Sequence, residues 1–350
     1  MKRWPVVGRD RASARSSRGS RLTTAGMLVV AVLPGCAGTP AEPSTAPPTA
    51  TATAGVELEG SLLFTRAGGQ YGDETVFLVP GDGSPEKQLT DLGEACCARV
   101  SPDGSSVLLL PSAQPVGPLT SATIPVEGGE PAFLSAVDPD LNLVAQLWSP
   151  DGTRIASEGW ANADASRTGV YTAASPSGDD LVRVTTTDTG GHDVPLDYSP
   201  DGTELLFFRG MPEPDWDLGG SLWIVATDGT DLRPVETGNI APSWWARWSP
   251  DGEKILFAAE RNQPVGGIWT VGADGSGLTQ IYIPPDGTFP ITPEWSPDGS
   301  QIVFALDPDS NQFAHPDNSV IVINSDGTEP TTLMPTSAFK RNFDWFEPSP

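Results

Sequence analysis

Trp248-Ser249-Pro250-Asp251-Gly252-Glu253-Lys254-Ile255-Leu256-Phe257-Ala258 is the stretch from which the fold can be read. Its tetrapeptide Ser-Pro-Asp-Gly begins at Ser101, Ser149, Ser199, Ser249 and Ser296, a period of 47–50 residues. An aromatic precedes four of these copies (Trp148, Tyr198, Trp248, Trp295), and Val100 precedes the first. Each copy leads into a short apolar run rich in β-branched and aromatic residues, such as Glu204–Phe208 or Gln301–Ala305. A second run follows and ends at another turn dipeptide: Asp228-Gly229, Asp274-Gly275 or Asp326-Gly327. Short runs bounded by turn residues are strands joined by hairpins. One unit is therefore four strands, a to d, and a four-stranded repeat of this length is a β-propeller blade.

Both ends of the repeat fit the same frame. Residues 61–66, 75–80 and 87–90 supply strands b, c and d of a first unit that has no strand a. The missing strand is Phe343–Pro348, because Trp345 lies one period after Trp295. The expected fold is an all-β, six-bladed propeller over residues 58–350, closed by the C-terminal strand in the N-terminal blade. Closure of this kind removes exposed sheet edges. The repeat resembles the WD-like repeat of the TolB C-terminal propeller. The small α/β domain that precedes the propeller in TolB has no counterpart here, so the resemblance implies the propeller and favours interaction over catalysis.

Residues 1–35 read as a separate segment. Seven Lys and Arg stand against Asp10 in residues 1–21, and an apolar run from Leu22 to Gly35 follows. This is the pattern of a secretory signal, and its apolar run is short of the ~20 residues that span a bilayer. Leu33-Pro34-Gly35-Cys36 resembles a bacterial lipobox, with Pro34 departing from it, and the resemblance implies lipid attachment at Cys36. Residues 36–57, rich in Pro, Thr and Ala, read as a tether. The expected location is the outer face of the cytoplasmic membrane, the periplasmic side in a two-membrane bacterium. The membrane is contacted by the lipid anchor only.

The chain has 45 Asp and Glu against 20 Lys and Arg, a net charge of −25. Phosphate backbones need clustered basic residues, so no nucleic-acid partner is expected. With 2 His and 3 Cys, a dense zinc site or a disulfide scaffold is not expected either. His192 and His315 read as polar surface groups, and no nucleophile motif is present. Cys96 and Cys97 fall together on a strand a and read as two buried thiols on opposite faces, with a strained vicinal disulfide as the alternative.

The repeat assigns faces. The a–b and c–d turns share one face, and their Asp residues read as turn formers: Pro presets φ, Asp bonds nearby N–H groups and Gly accepts positive φ. The b–c and d–a connections share the other face and hold the long insertions at 112–120, 158–167, 210–220, 260–266, 282–290 and 306–318. These insertions, with the d–a connection ahead of Trp248, carry Trp160, Trp216, Trp244, Trp245, Phe289 and Phe313, with Glu213, Asp215, Asp217 and Asp317. Variable loops on a rigid scaffold are where binding sits, so Trp216 and Trp245 are candidate ligand contacts. Side chains alternate along a strand, so the residue before each repeated aromatic faces the central channel. Those residues are Arg99, Leu147, Asp197, Arg247, Glu294 and Asp344. The residues alone leave open whether Asp197, Arg247, Glu294 and Asp344 hold a polar ligand or neutralise one another.

The expectation is a monomeric, non-catalytic binding or scaffold propeller whose partner is a protein or cell-wall glycan at the long-loop face. The rival is a polysaccharide lyase or hydrolase using channel or loop carboxylates (Asp197, Glu294, Asp344), with His315 as a further candidate. No cofactor is expected; a calcium ion in the channel or at Asp138-Pro139-Asp140 or Asp307-Pro308-Asp309 is the one alternative.

Overall fold

The computed structural model describes residues 58–67, 74–90, 95–111, 120–134, 138–187, 191–211, 219–259, 266–308 and 317–347. Cys36, Trp216, Phe313, His315, Glu213, Asp215 and Asp217 lie outside them, as do the side chains of Cys96 and Cys97. All the regular structure among the described residues is β. In chain order the strands are β1 Ser61–Ala67, β2 Glu74–Val79, β3 Lys87–Gln88, β4 Ala95–Val100, β5 Ser106–Pro111, β6 Ala122–Pro125, β7 Ala132–Phe133, β8 Asn142–Trp148, β9 Arg154–Ala161, β10 Asp164–Ala174, β11 Val182–Arg183 and β12 Asp193–Tyr198. They continue as β13 Glu204–Gly210, β14 Gly220–Ala226, β15 Arg233–Pro234, β16 Pro242–Trp248, β17 Lys254–Ala259, β18 Ile268–Gly272, β19 Thr279–Tyr282, β20 Phe289–Trp295, β21 Gln301–Asp307, β22 Asn318–Asn324 and β23 Thr331–Phe346.

Four separate four-stranded antiparallel sheets form: β4–β7, β8–β11, β12–β15 and β16–β19. The other seven strands form one sheet in the order β20-β21-β22-β23-β1-β2-β3. The reason is β23, which runs for 16 residues. Its first part pairs with β22 (Thr331 opposite Val322, Met334 opposite Val320), and its second pairs with β1 (Phe339 opposite Ala67, Phe346 opposite Ser61). The sequence began the last strand at Phe343; the strand instead starts at Thr331 and runs on through that residue. The C-terminal strand does complete the N-terminal strands as expected.

The sheets are held together by apolar clusters between neighbours rather than by one central core. Val194, Leu206 and Phe208 meet Trp248, Ile255 and Phe257; Leu256 and Ile268 meet Trp295, Ile302 and Phe304. Leu62, Phe64 and Trp345 meet Val303, Val320 and Val322, and Leu63 and Val76 meet Ala98, Val107 and Leu109. The repeated aromatic is the wedge: Tyr198, Trp248, Trp295 and Trp345 are all buried, each against the sheet before its own. The innermost strands pack in a cycle, β4 on β8, β8 on β12, β12 on β16, β16 on β20, β20 on β23, and β23 on β4.

The turn chemistry is the same in every copy. Ser249 Oγ donates to Asp251 Oδ1 at 2.6 Å, Glu253 N–H donates to the same oxygen at 2.9 Å, and Lys254 N–H donates to Ser249 Oγ. Gly104, Gly152, Gly202, Gly252 and Gly299 all have φ of 71–76°, the left-handed region that a Cβ disfavours. Each c–d turn bonds back to its own a–b turn, as Thr227 N–H does to Thr203 O at 2.9 Å and Ala273 N–H to Glu253 O at 2.9 Å. Both turn sets therefore lie on one face.

Candidate functional site in the central channel

Every innermost strand carries a register shift just before its channel residue: between Cys96 and Arg99, Ala145 and Leu147, Pro195 and Asp197, Pro242 and Ala246, and Ile291 and Glu294. In the last copy the partners of Asp344 and Arg341, Leu63 and Thr65, flank the shift. Bulges bend a strand and re-aim its side chains. Two copies hold a non-glycine residue at positive φ two positions before the channel acid: Thr292 (51°) before Glu294 and Asn342 (55°) before Asp344. For a β-branched residue such as Thr292 this conformation is strained.

The channel residues come together as the alternation predicted. Arg99 Nη1 lies 2.9 Å from Glu294 Oε2 and 3.4 Å from Asp344 Oδ1. Arg247 Nε lies 2.7 Å from the same Glu294 oxygen. The other contacts fall into two matching latches between neighbouring sheets. Asp197 Oδ2 accepts the Trp248 N–H at 2.8 Å while Arg247 Nη1 donates to Leu196 O at 2.9 Å. Asp344 Oδ2 accepts the Val100 N–H at 2.6 Å while Arg99 Nη1 donates to Phe343 O at 2.7 Å. In the cycle of inner strands, half a turn carries Arg99 onto Arg247, Asp197 onto Asp344 and Leu147 onto Glu294. The arrangement is thus pseudo-twofold, broken where Glu294 and Leu147 occupy equivalent positions.

Burial dominates the electrostatics. It raises Asp197 to about 8, with the Glu294 charge adding to the effect, and raises Glu294 to about 7 against the pull of Arg99. Burial also raises Asp344, opposed by Arg99. Burial pulls the Arg99 guanidinium down, but Glu294, Asp344 and Asp197 together hold it above its ordinary value. Three acids face two arginines. One proton held among the three acids would balance the two arginines.

A second cluster lies where the inner strands begin on the long-loop side. His192 Nδ1 is 3.5 Å from Glu158 Oε1. Asp193, fully buried, accepts from Arg209 Nε and Nη2 at 2.8 and 2.7 Å and from Thr185 Oγ1 at 2.7 Å. Burial, with the Asp193 charge, raises Glu158 to about 7, and burial lowers His192. The sequence placed His192 on the surface. Its imidazole is instead largely covered: a Cβ on Gly210 would sit 2.5 Å from His192 Cδ2, so the glycine makes its space. Trp244 meets the imidazole edge-on at 5.9 Å, stacks on Phe208 at 5.7 Å and stays 37% exposed. Trp245 is half-buried against the apolar cluster that contains Ile291 and Trp345. Trp160, Trp244, Trp245 and Phe289 were read as loop residues and stand within β9, β16 and β20. The 158–167 insertion is a hairpin in which both strands run on. Asp138 accepts the Asp140 N–H at 2.9 Å and pairs with Arg167, as a turn residue does. Among the described residues no three His, Cys, Asp or Glu stand close enough to hold a metal ion.

The TolB of Acinetobacter baumannii superposes with a TM-score of 0.63 at 15% identity, covering 82% of this chain and 67% of that one. A TolB candidate from Agrobacterium tumefaciens gives 0.58 at 19%, covering 80% and 97%. The fold is that of a TolB-type β-propeller. The oligogalacturonate lyase of Vibrio parahaemolyticus shares it at 0.52 and 15%, covering 77% and 78%. An uncharacterised protein of Agrobacterium fabrum is 27% identical over 183 residues, 52% of this chain; the match spans 57% of that curated relative. No family profile matches the chain. At these identities the TolB-type propeller is shared as a fold, and sites must be argued from this chain's own residues.

Proposed function

We propose that this chain is an exported, lipid-anchored, six-bladed propeller that binds a protein or cell-envelope ligand across its long-loop face and carries out no chemistry itself. The observation that carries the reading is the state of the channel. Arg99, Arg247, Glu294, Asp197 and Asp344 are engaged with one another and with the backbone of adjacent sheets. Such groups fasten a ring more readily than they serve a substrate. The count of six rests on the cycle of inner strands, with the seven-stranded sheet taken as two blades sharing β23. The TolB neighbours support a binding role, and Trp244 supplies an exposed aromatic at the face in question.

The experiment is capture of partners from native membranes with the full chain, beside a glycan array. A partner lost on Trp244→Ala or Trp216→Ala supports the reading. Cys36→Ser should move the protein to the soluble fraction; a variant that stays in the detergent phase sinks the anchor. One observation favours a second reading: Asp197 and Glu294 have raised pKa values of the kind acid–base catalysts use, and lyases share the fold. Turnover of a polysaccharide, abolished by Glu294→Gln with folding retained, would establish that reading instead.

A further inference from the structure

On the long-loop side, Glu158 of β9 and His192, just ahead of β12, face each other across the junction of the β8–β11 and β12–β15 sheets. The repeat does not call for this pair. The residues equivalent to Glu158 in the other Ser-Pro-Asp-Gly copies are Leu110, Phe208, Ala258 and Ala305. The residues in the place of His192 ahead of Trp148, Trp248 and Trp295 are Asn142, Pro242 and Phe289. The two groups do not satisfy each other either. His192 Nδ1 is 3.5 Å from Glu158 Oε1, beyond the roughly 2.7–3.2 Å of an ordinary hydrogen bond. His192 Nε2 is buried against Gly210 without a partner, which leaves Nδ1 as the imidazole atom that can serve a ligand. Both side chains reach solvent, Glu158 with 16% of its surface and His192 with 26%.

The surroundings state what the pair would take. Asp193 and Arg209 neutralise each other through two hydrogen bonds, so they select neither a cation nor an anion. Burial holds Glu158 at about 7 and pushes His192 down, so neither is a full ion at neutral pH. A hydroxyl donates and accepts at once, and it can bridge a carboxyl and an imidazole that stand too far apart to bond directly. Beside them is Trp244 of β16, 5.9 Å from the imidazole. Its indole is held by stacking on Phe208 and remains 37% exposed. Met211, next to Gly210, is 44% exposed. A fixed aromatic surface with a few convergent polar groups is the composition of a small-ligand site. A sugar ring matches both parts, with C–H bonds on its faces and hydroxyls on its rim.

We propose that Glu158, His192 and Trp244 form a subsite for one uncharged sugar ring, with a ring hydroxyl bridging the carboxyl and the imidazole and a C–H face lying on the indole. Such a subsite rests on the binding role proposed above and makes its ligand a neutral glycan. Titration calorimetry of the full chain uses cellotriose, maltotriose and chitotriose as neutral probes and trigalacturonate as a charged one. At least one neutral trisaccharide should bind, and more tightly than trigalacturonate. Glu158→Leu installs the residue that the first copy carries. It should weaken binding about tenfold while melting at or above the parent's temperature, because it removes a largely buried carboxyl. Trp244→Ala should weaken binding at least as much, and Trp244→Phe, which keeps an aromatic ring, should recover part of the loss. Phe133→Ala removes an exposed aromatic from β7 and should bind as the parent does. A neutral probe bound equally by the parent and by either Glu158→Leu or Trp244→Ala overturns the subsite and leaves glycan binding elsewhere on the ring standing. Tighter binding of trigalacturonate, or no neutral probe bound at millimolar concentration, overturns the neutral-sugar assignment; capture of a protein partner from membranes decides the wider binding role separately.

Discussion

Asp197 shows how a single residue couples the channel to pH. Its carboxyl is raised by burial to about 8 in the folded chain, far above the ordinary value of 3.8 that it regains on unfolding. Below about pH 4 both states hold the proton and the residue costs nothing. As pH climbs from 4 through 8 only the unfolded chain releases it, so stability falls across that window. Asp197→Asn keeps an acceptor for the Trp248 N–H and removes the fall. Denaturant unfolding should find it equal to the parent near pH 4 and roughly 1–3 kcal/mol more stable at pH 8. Glu294 behaves oppositely on deletion, because Arg99 and Arg247 both rest on it. Glu294→Leu, which would make the two halves of the channel alike, should cost on the order of 3 kcal/mol by removing the carboxylate that the buried Arg99 and Arg247 guanidinium groups share. These residues were legible in the sequence because strand parity held: each bulge lies upstream of the channel position and leaves its orientation relative to the aromatic intact. The arginine-to-carbonyl latches were not legible, since they join residues on different sheets. His192 was misplaced because the space made for it comes from Gly210, a residue on another strand.

Among elements, the turns were the most readable and β23 the least. Ser-Pro-Asp-Gly contains its own hydrogen-bonding instructions within five residues, so its geometry repeats wherever the motif does. The continuity of β23 depends on two separate partners, β22 and β1, each of which recruits one part of it. Strand ends on the long-loop side were also misjudged: polar residues of the 158–167 stretch extend β9 and β10 because each supplies the other's backbone partners. The second part of β23 contributes Phe343 and Trp345 to an intersheet cluster and the carboxylate that receives the Val100 N–H. Removing residues 343–350 should therefore lower the unfolding midpoint in urea severely or prevent folding. Circular dichroism of the truncated chain and the parent makes the comparison.

At the scale of the whole molecule, the net charge of −25 is a load on the compact state. Self-repulsion of this kind weakens as counterions accumulate. Raising sodium chloride from about 50 to about 500 mM should raise the melting temperature by several degrees, and a flat or falling response would show that the paired charges of the channel outweigh the surface. The fold was readable at this level because a period of 47–50 residues admits few architectures, while the ligand was not, because the loops that differ between repeats carry no periodic constraint. The pairing of β1 with β23 also has a consequence in time. Trp345 bonds Glu59 across 286 residues of chain, so the first sheet to be synthesised is the last to be finished. Until β23 arrives, β1 waits with an open edge, and closing so long a loop is slow. Ring assembly cannot keep pace with synthesis strand by strand; its final step must follow delivery of the last strand, and the interval before it is when this protein is most exposed to pairing with the wrong neighbour.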